Sequence, residues 1–165
     1  MNIKHALFFI IFVIFIFTQN NYAQLKVPGI YEDVINECNV TYTISKDLLD
    51  ANNIDTLIES LEQHKNAKCF VFCVLQKLKW VDNNGTVQIN NVINAIKTAA
   101  KQLPLKEIEE VYTISPDIYP IVESVLSICN NSTAVIQQID PCEKIFQFIV
   151  CIKDASEKES SSPSA

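Results

Sequence analysis

The residues best equipped for chemistry in this chain are its six cysteines, Cys38, Cys69, Cys73, Cys129, Cys142 and Cys151. A thiol can attack, ligate a metal or form a crosslink. Structural zinc sites use paired Cys-x-x-Cys or Cys/His sets. Here no Cys-x-x-Cys occurs, and His64 is the one histidine beyond the extreme N-terminus. An even count of cysteines in an exported chain reads as a disulfide framework, here three bridges, which leaves no thiolate for attack. A Ser-His site would depend on His64, which sits in the polar stretch Gln63-His64-Lys65-Asn66. Glu107, Glu109 and Glu110 form a charge run that reads as a wet face rather than an acid–base pair. A secreted phospholipase would need a His-Asp pair beside a calcium loop, and neither is present. The chain therefore reads as non-enzymatic, with no cofactor and no metal expected. Four glycosylation sequons occur, at Asn39, Asn84, Asn130 and Asn131. Asn84 and Asn131 fall in expected turns and are the better acceptors.

Export is read from the N-terminus. Lys4 and His5 precede an unbroken apolar run from Ala6 to Phe17, followed by polar residues to Asn21. A cationic start, a short apolar core and a small residue at Ala23 predict a secretory signal over residues 1–23. The run is too short for a membrane helix, which needs about 20 apolar residues, so no membrane insertion is expected. All thirteen basic residues are lysine and the formal net charge is −6. An acidic chain without arginine is poorly suited to phosphate backbones or anionic headgroups, so nucleic acid is not an expected partner. Secretion to an extracellular fluid is the expected localisation.

The elements that must hold the cysteines read as helices. Only Gly29 and Gly85 are available for tight hairpin turns, which argues for an all-α fold of about six helices. Apolar periodicity predicts helices over roughly Tyr31 to Asn39, Ser45 to Leu61, His64 to Lys79, Asn90 to Gln102, Asp117 to Cys129, and Asp140 to Lys153. Ser45 is the expected N-cap of the second, where Asn52, Asn53 and Asp55 weaken the middle. On the third, Val71, Val74, Leu75 and Leu78 form one stripe, with the cysteines mostly to the other side. Asp82-Asn83-Asn84-Gly85 is a turn signal. Pro104 ends the fourth helix, Asn130 to Thr133 reads as a polar connector, and Asp140-Pro141 announces the last helix. Residues 24–153 form the expected domain, and the Ser-, Glu- and Lys-rich tail, 154–165, is expected to be disordered.

Helix geometry narrows the crosslinks without fixing them. Cys69 and Cys73 lie one turn apart on one helix and so reach separate partners. Cys142 and Cys151, nine residues apart, would be separated by roughly 13 Å on a continuous helix at about 1.5 Å per residue, beyond the ~7 Å Cα limit of a disulfide. Of fifteen possible pairings, ten survive. All ten tie the third helix to the rest of the chain through two bridges.

The spacing has a further meaning. Thirty, three, fifty-five, twelve and eight residues separate successive cysteines. This pattern resembles the insect odorant-binding proteins, whose second gap is three residues and whose last is eight. Cys69-Phe-Val-Phe-Cys73-Val-Leu-Gln-Lys-Leu78 followed by Asp82-Asn-Asn-Gly-Thr-Val87 is similar to that family's third helix and turn, and Asp140-Pro-Cys142-Glu to the start of its last helix. The likeness runs from about Tyr31 to Ile152. The Cys73–Cys129 gap exceeds the family's usual length, with Pro104 to Pro116 as the expected insertion. The resemblance implies interlocked bridges Cys38–Cys73, Cys69–Cys142 and Cys129–Cys151 around an apolar cavity.

Matched onto this chain, the family's ligand-binding positions imply Val71, Leu75, Trp80, Val87, Ile96, Leu126, Phe148 and Ile152, with Tyr31, Leu57 and Leu61 from the first two helices. The implied function is reversible carriage of a small hydrophobic molecule, an odorant or pheromone-like compound, by a monomer or weak homodimer, with a chemosensory receptor as a further partner. Two other readings share these residues: a carrier of the same fold for lipids or hormones in another fluid, and a secreted ligand or inhibitor acting through its surface. Tyr112 or Tyr119 could anchor a guest by a hydrogen bond. The tail is too polar to fill an apolar cavity, so no tail-driven pH switch is expected.

Overall fold

The structure, a computed structural model, describes residues 29–44, 54–102, 118–134 and 140–160. Among these lie six helices: α1 (Gly29–Thr41), α2 (Ile54–Gln63), α3 (Lys65–Lys77), α4 (Ile89–Gln102), α5 (Ile118–Ala134) and α6 (Pro141–Ser160). The one β feature among the described residues is an isolated antiparallel bridge between Val81 and Val87. The fold is all-α, as the glycine-poor sequence predicts.

α3 is the hub. It packs most extensively on α6 and also on α1 and α2, while α5 packs on both α6 and α4. That ring of neighbours corrects the single stripe expected of α3. Ala67, Cys69 and Phe70 are buried along with Leu75, whereas Val71, Val74 and Leu78 are half-buried. A helix enclosed from several sides buries more than one face.

The bridges are Cys38–Cys73, Cys69–Cys142 and Cys129–Cys151, joining α1 to α3, α3 to α6 and α5 to α6. No cysteine is free. This is the pairing that the resemblance implies. Because it interlocks, α3 and α6 cannot separate while the bridges persist. Each link restricts the unfolded chain and contributes about 2–4 kcal/mol.

Local chemistry sets the helix ends, in places earlier or later than the sequence predicts. α3 stops at Lys77, before the Asp82–Gly85 turn signal. Lys79 adopts a left-handed φ of 61°. Its amide donates to the Gln76 carbonyl and that of Trp80 to the Leu75 carbonyl, both at 2.9 Å, the paired bonds that close a helix with a left-handed residue. Asn91 Nδ2 donates to the Lys79 carbonyl at 2.7 Å and helps hold it there. The reversal returns Trp80 and Val81 to the interior.

The Asp82–Gly85 turn then forms as expected. Asp82 Oδ1 accepts from the amides of Asn84 and Thr86, each at 2.9 Å. Gly85 has φ 72°, and a Cβ there would meet the Pro141 carbonyl oxygen at 3.0 Å, so glycine is required twice over.

Two further corrections concern length. Residues Asn130 to Thr133, expected as a connector, belong to α5. The hydroxyls of Ser132 and Thr133 donate to the Cys129 carbonyl at 2.9 and 3.1 Å, so these polar residues bond back into the helix. α6 begins where predicted, with Asp140 Oδ1 accepting from the Cys142 amide at 2.8 Å, but it continues to Ser160 rather than ending near Lys153. The tail expected to be disordered from Asp154 thus starts inside a helix. The expected second-helix start at Ser45, the insertion from Pro104 to Pro116, and residues 1–23 lie outside the described residues.

Candidate functional site

Nine of the sequence-predicted lining residues come together. Leu61, Leu75, Trp80, Val87, Ile96, Leu126, Phe148 and Ile152 are buried members of one apolar cluster, and Val71 packs against it half-buried. They are contributed by α2, α3, α4, α5, α6 and the Trp80–Val87 hairpin. Tyr31 lies in α1 and Leu57 in α2, with side chains outside the described residues, as are Tyr112 and Glu107, Glu109 and Glu110.

The sequence reading overlooked Ile145, Phe146 and Ile149, which are also in the cluster. Their spacing of three and four residues on the helix announced by Asp140-Pro141 carries the signal that could have found them.

The interior has little polar chemistry to offer. Among the described residues the one buried polar side chain is Thr133, satisfied by the carbonyls of Cys129 and Asn130. Among the described residues, no buried side-chain nitrogen or oxygen lacks a partner. Tyr119 is half-buried against the cluster, with the Lys97 ammonium 5.1 Å from its ring centroid. What the cluster presents is dispersion and desolvation, which favour an apolar molecule and impose no directional bond.

The wall formed by Trp80, Val81 and Val87 depends on one amide. Asn130 Oδ1 accepts from the Val87 amide at 2.9 Å and Asn130 Nδ2 donates to the Val87 carbonyl at 3.4 Å. The carboxamide thus fastens the hairpin to α5 one residue after Cys129. An Asn130→Ala substitution leaves both backbone groups of a buried residue unpaired and is expected to cost about 1–3 kcal/mol. Chemical denaturation of the variant measures this, and a loss indistinguishable from zero would remove the fastening role.

A separate cleft, of about 450 Å³, lies at the surface where α2 ends and α3 and α6 begin. Its lining is Glu62, Gln63, Lys65, Lys68, Asp140, Cys142 and Glu143. Cys69, Asp140 and Cys142 approach one another there, but both sulfurs belong to one disulfide and supply no thiolate for a metal. Lys68 Nζ donates to Glu143 Oε2 at 2.7 Å and stands 4.1 Å from the Phe146 ring centroid. Gln147 Nε2 donates to Glu143 Oε1 at 2.9 Å. Burial raises the Glu143 pKa, but the Lys68 and Gln147 hydrogen bonds and the Lys68 charge outweigh it, and the net shift is downward. A carboxyl held below its ordinary value stabilises the fold above that value, and the benefit disappears as pH falls through the folded one. Glu143→Gln should therefore weaken the protein at neutral pH and not in strong acid. Urea midpoints at both pH values test this; an equal loss at both would rule out the charge.

Among the described residues, no helix is long and apolar enough to cross a membrane. His64, the residue a Ser-His site would need, is exposed at the N-cap of α3. No curated protein matches the chain. A family model does: the one described as the PBP/GOBP family matches residues 26–155.

Proposed function

Because the chain belongs to the PBP/GOBP family, the insect pheromone- and odorant-binding proteins, we propose that it is an extracellular, non-enzymatic carrier of small hydrophobic molecules. The family is one of secreted binding proteins, and residues 1–23 have the composition of a leader removed on export. The observation that carries the reading is the single apolar cluster assembled from six elements and closed by three bridges. In the proposed site, Val71, Leu75, Trp80, Val87, Ile96, Leu126, Phe148 and Ile152 line the guest, with Leu61, Leu57 and Tyr31 completing the wall. The charged cleft at the start of α6 is not that site, since its side chains would have to shed water against an apolar guest without compensation.

Magnitudes bound the affinity. A guest burying roughly 300 Å² of apolar surface gains about 6–10 kcal/mol at ~20–33 cal/mol per Å², and immobilisation removes part of that gain. Micromolar dissociation constants, about 8 kcal/mol, mark the upper end of affinity for a guest without polar anchors. The carrier acts as a monomer or weak homodimer and releases its guest at a chemosensory receptor.

Mass spectrometry of organic extracts from natively purified protein tests the proposal. Stoichiometric recovery of one class of small apolar compound is expected. Extracts matching those of the heat-denatured control would contradict it.

A further inference from the structure

We propose that the secreted protein carries an N-linked glycan on Asn84; the inference rests on the export reading above. The four sequons differ in what the fold does with each carboxamide. Asn39 Oδ1 accepts from the Ile44 amide at 3.1 Å, beyond the end of α1. Asn130 is bonded through both its oxygen and its nitrogen to Val87. A sugar on Asn130 Nδ2 would replace one of its two hydrogens and crowd a part-buried carboxamide that is bonded to Val87 on both sides. Asn131 is exposed but lies inside α5, and the hydroxyl of its sequon serine, Ser132, donates to the Cys129 carbonyl at 2.9 Å.

Asn84 differs from Asn39 and Asn130 in its unbonded carboxamide and from Asn131 in lying in a turn rather than a helix. It is exposed in the Asp82–Gly85 turn, and none of the described residues hydrogen-bonds its carboxamide. Its backbone does the structural work instead: the amide donates to Asp82 Oδ1 at 2.9 Å and the carbonyl accepts from Lys144 Nζ at 3.3 Å. The turn is built without the side chain, so a substituent on Nδ2 costs the fold nothing that these bonds supply. Surface turns are where an Asn-x-Thr sequence in an exported chain accepts a glycan.

The transfer joins the anomeric carbon of the first N-acetylglucosamine to Asn84 Nδ2. It breaks the bond from that carbon to the oxygen of a lipid-linked pyrophosphate donor. The amide gives up one proton to a base, and the lipid pyrophosphate departs as the anion.

The test is intact-mass analysis of the full chain expressed in insect cells, from both medium and cell lysate, before and after a peptide N-glycosidase that tolerates core fucose. Glycosidase treatment in heavy-oxygen water, followed by peptide mapping and read against an enzyme-free sample that accounts for spontaneous deamidation at Asn84-Gly85, converts an occupied Asn84 to labelled aspartate without needing any variant. Labelled aspartate at position 84, and loss of that glycan in Asn84→Gln, are expected. A leader-cleaved chain bare at Asn84, or one labelled only at Asn39, Asn130 or Asn131, overturns the glycan and leaves export standing. A bare cytosolic chain that retains residues 1–23 overturns both.

Discussion

The double substitution Cys69→Ser/Cys142→Ser is expected to lower the free energy of unfolding by about 4 kcal/mol, the loop-closure entropy of a bridge spanning 73 residues. This bridge joins α3, which touches most of the other helices, to α6, so its loss loosens the most extensive interface in the fold. It also stands beside the Lys68–Glu143 pair, whose geometry depends on the same two helix starts. A domain of ordinary stability has about 5–15 kcal/mol in total, so the variant should be near its folding threshold at elevated temperature. Urea midpoints at matched slope measure the loss. A change below about 1 kcal/mol would mean that α3 and α6 hold each other by packing alone.

The second large effect is expected at Leu126, which is 1 % exposed on α5. Leu126→Ala removes buried methylene groups and leaves a cavity, at a cost of about 2–5 kcal/mol. Ile128, on the same helix, is 62 % exposed, and Ile128→Ala should change stability by no more than ~0.5 kcal/mol. The contrast separates burial from composition, because both residues are large aliphatics two positions apart. If Leu126 also lines the guest, saturating an apolar ligand restores stability by mass action, about 2.7 kcal/mol at a hundredfold excess over the dissociation constant. Equal losses at the two positions would contradict the assignment of the inner face of α5.

Much of this was legible in the sequence because a few residues carry strong local physics. Asp140 and Pro141 marked the start of α6, and the Asp82–Gly85 turn was read from its own side chains. The bridges were a different case. Spacing left ten pairings open, and only the likeness to a family selected one. Other features depend on tertiary contacts and leave no local trace. The stop of α3 at Lys77 uses a left-handed lysine where glycine would be the usual sign. The role of Asn130 requires that Val87, 43 residues away, be brought to it. The extra turn of α5 contains asparagine, serine and threonine, which read as connector until hydroxyl-to-carbonyl bonds tie them back into the helix, and α6 runs on to Ser160 through residues whose composition reads as tail. For the same reason, half-buried Val71 and fully buried Ile145 could not be ranked from periodicity alone.

The central claim is that the apolar interior admits one small guest. Titration of the purified protein with an apolar fluorescent probe tests this most directly. The account expects blue-shifted, saturable emission at one probe per chain, a dissociation constant in the micromolar range, and competitive displacement by a medium-length aliphatic alcohol or ester. Emission that rises without saturation, or a bound probe that no small apolar competitor displaces, would contradict it.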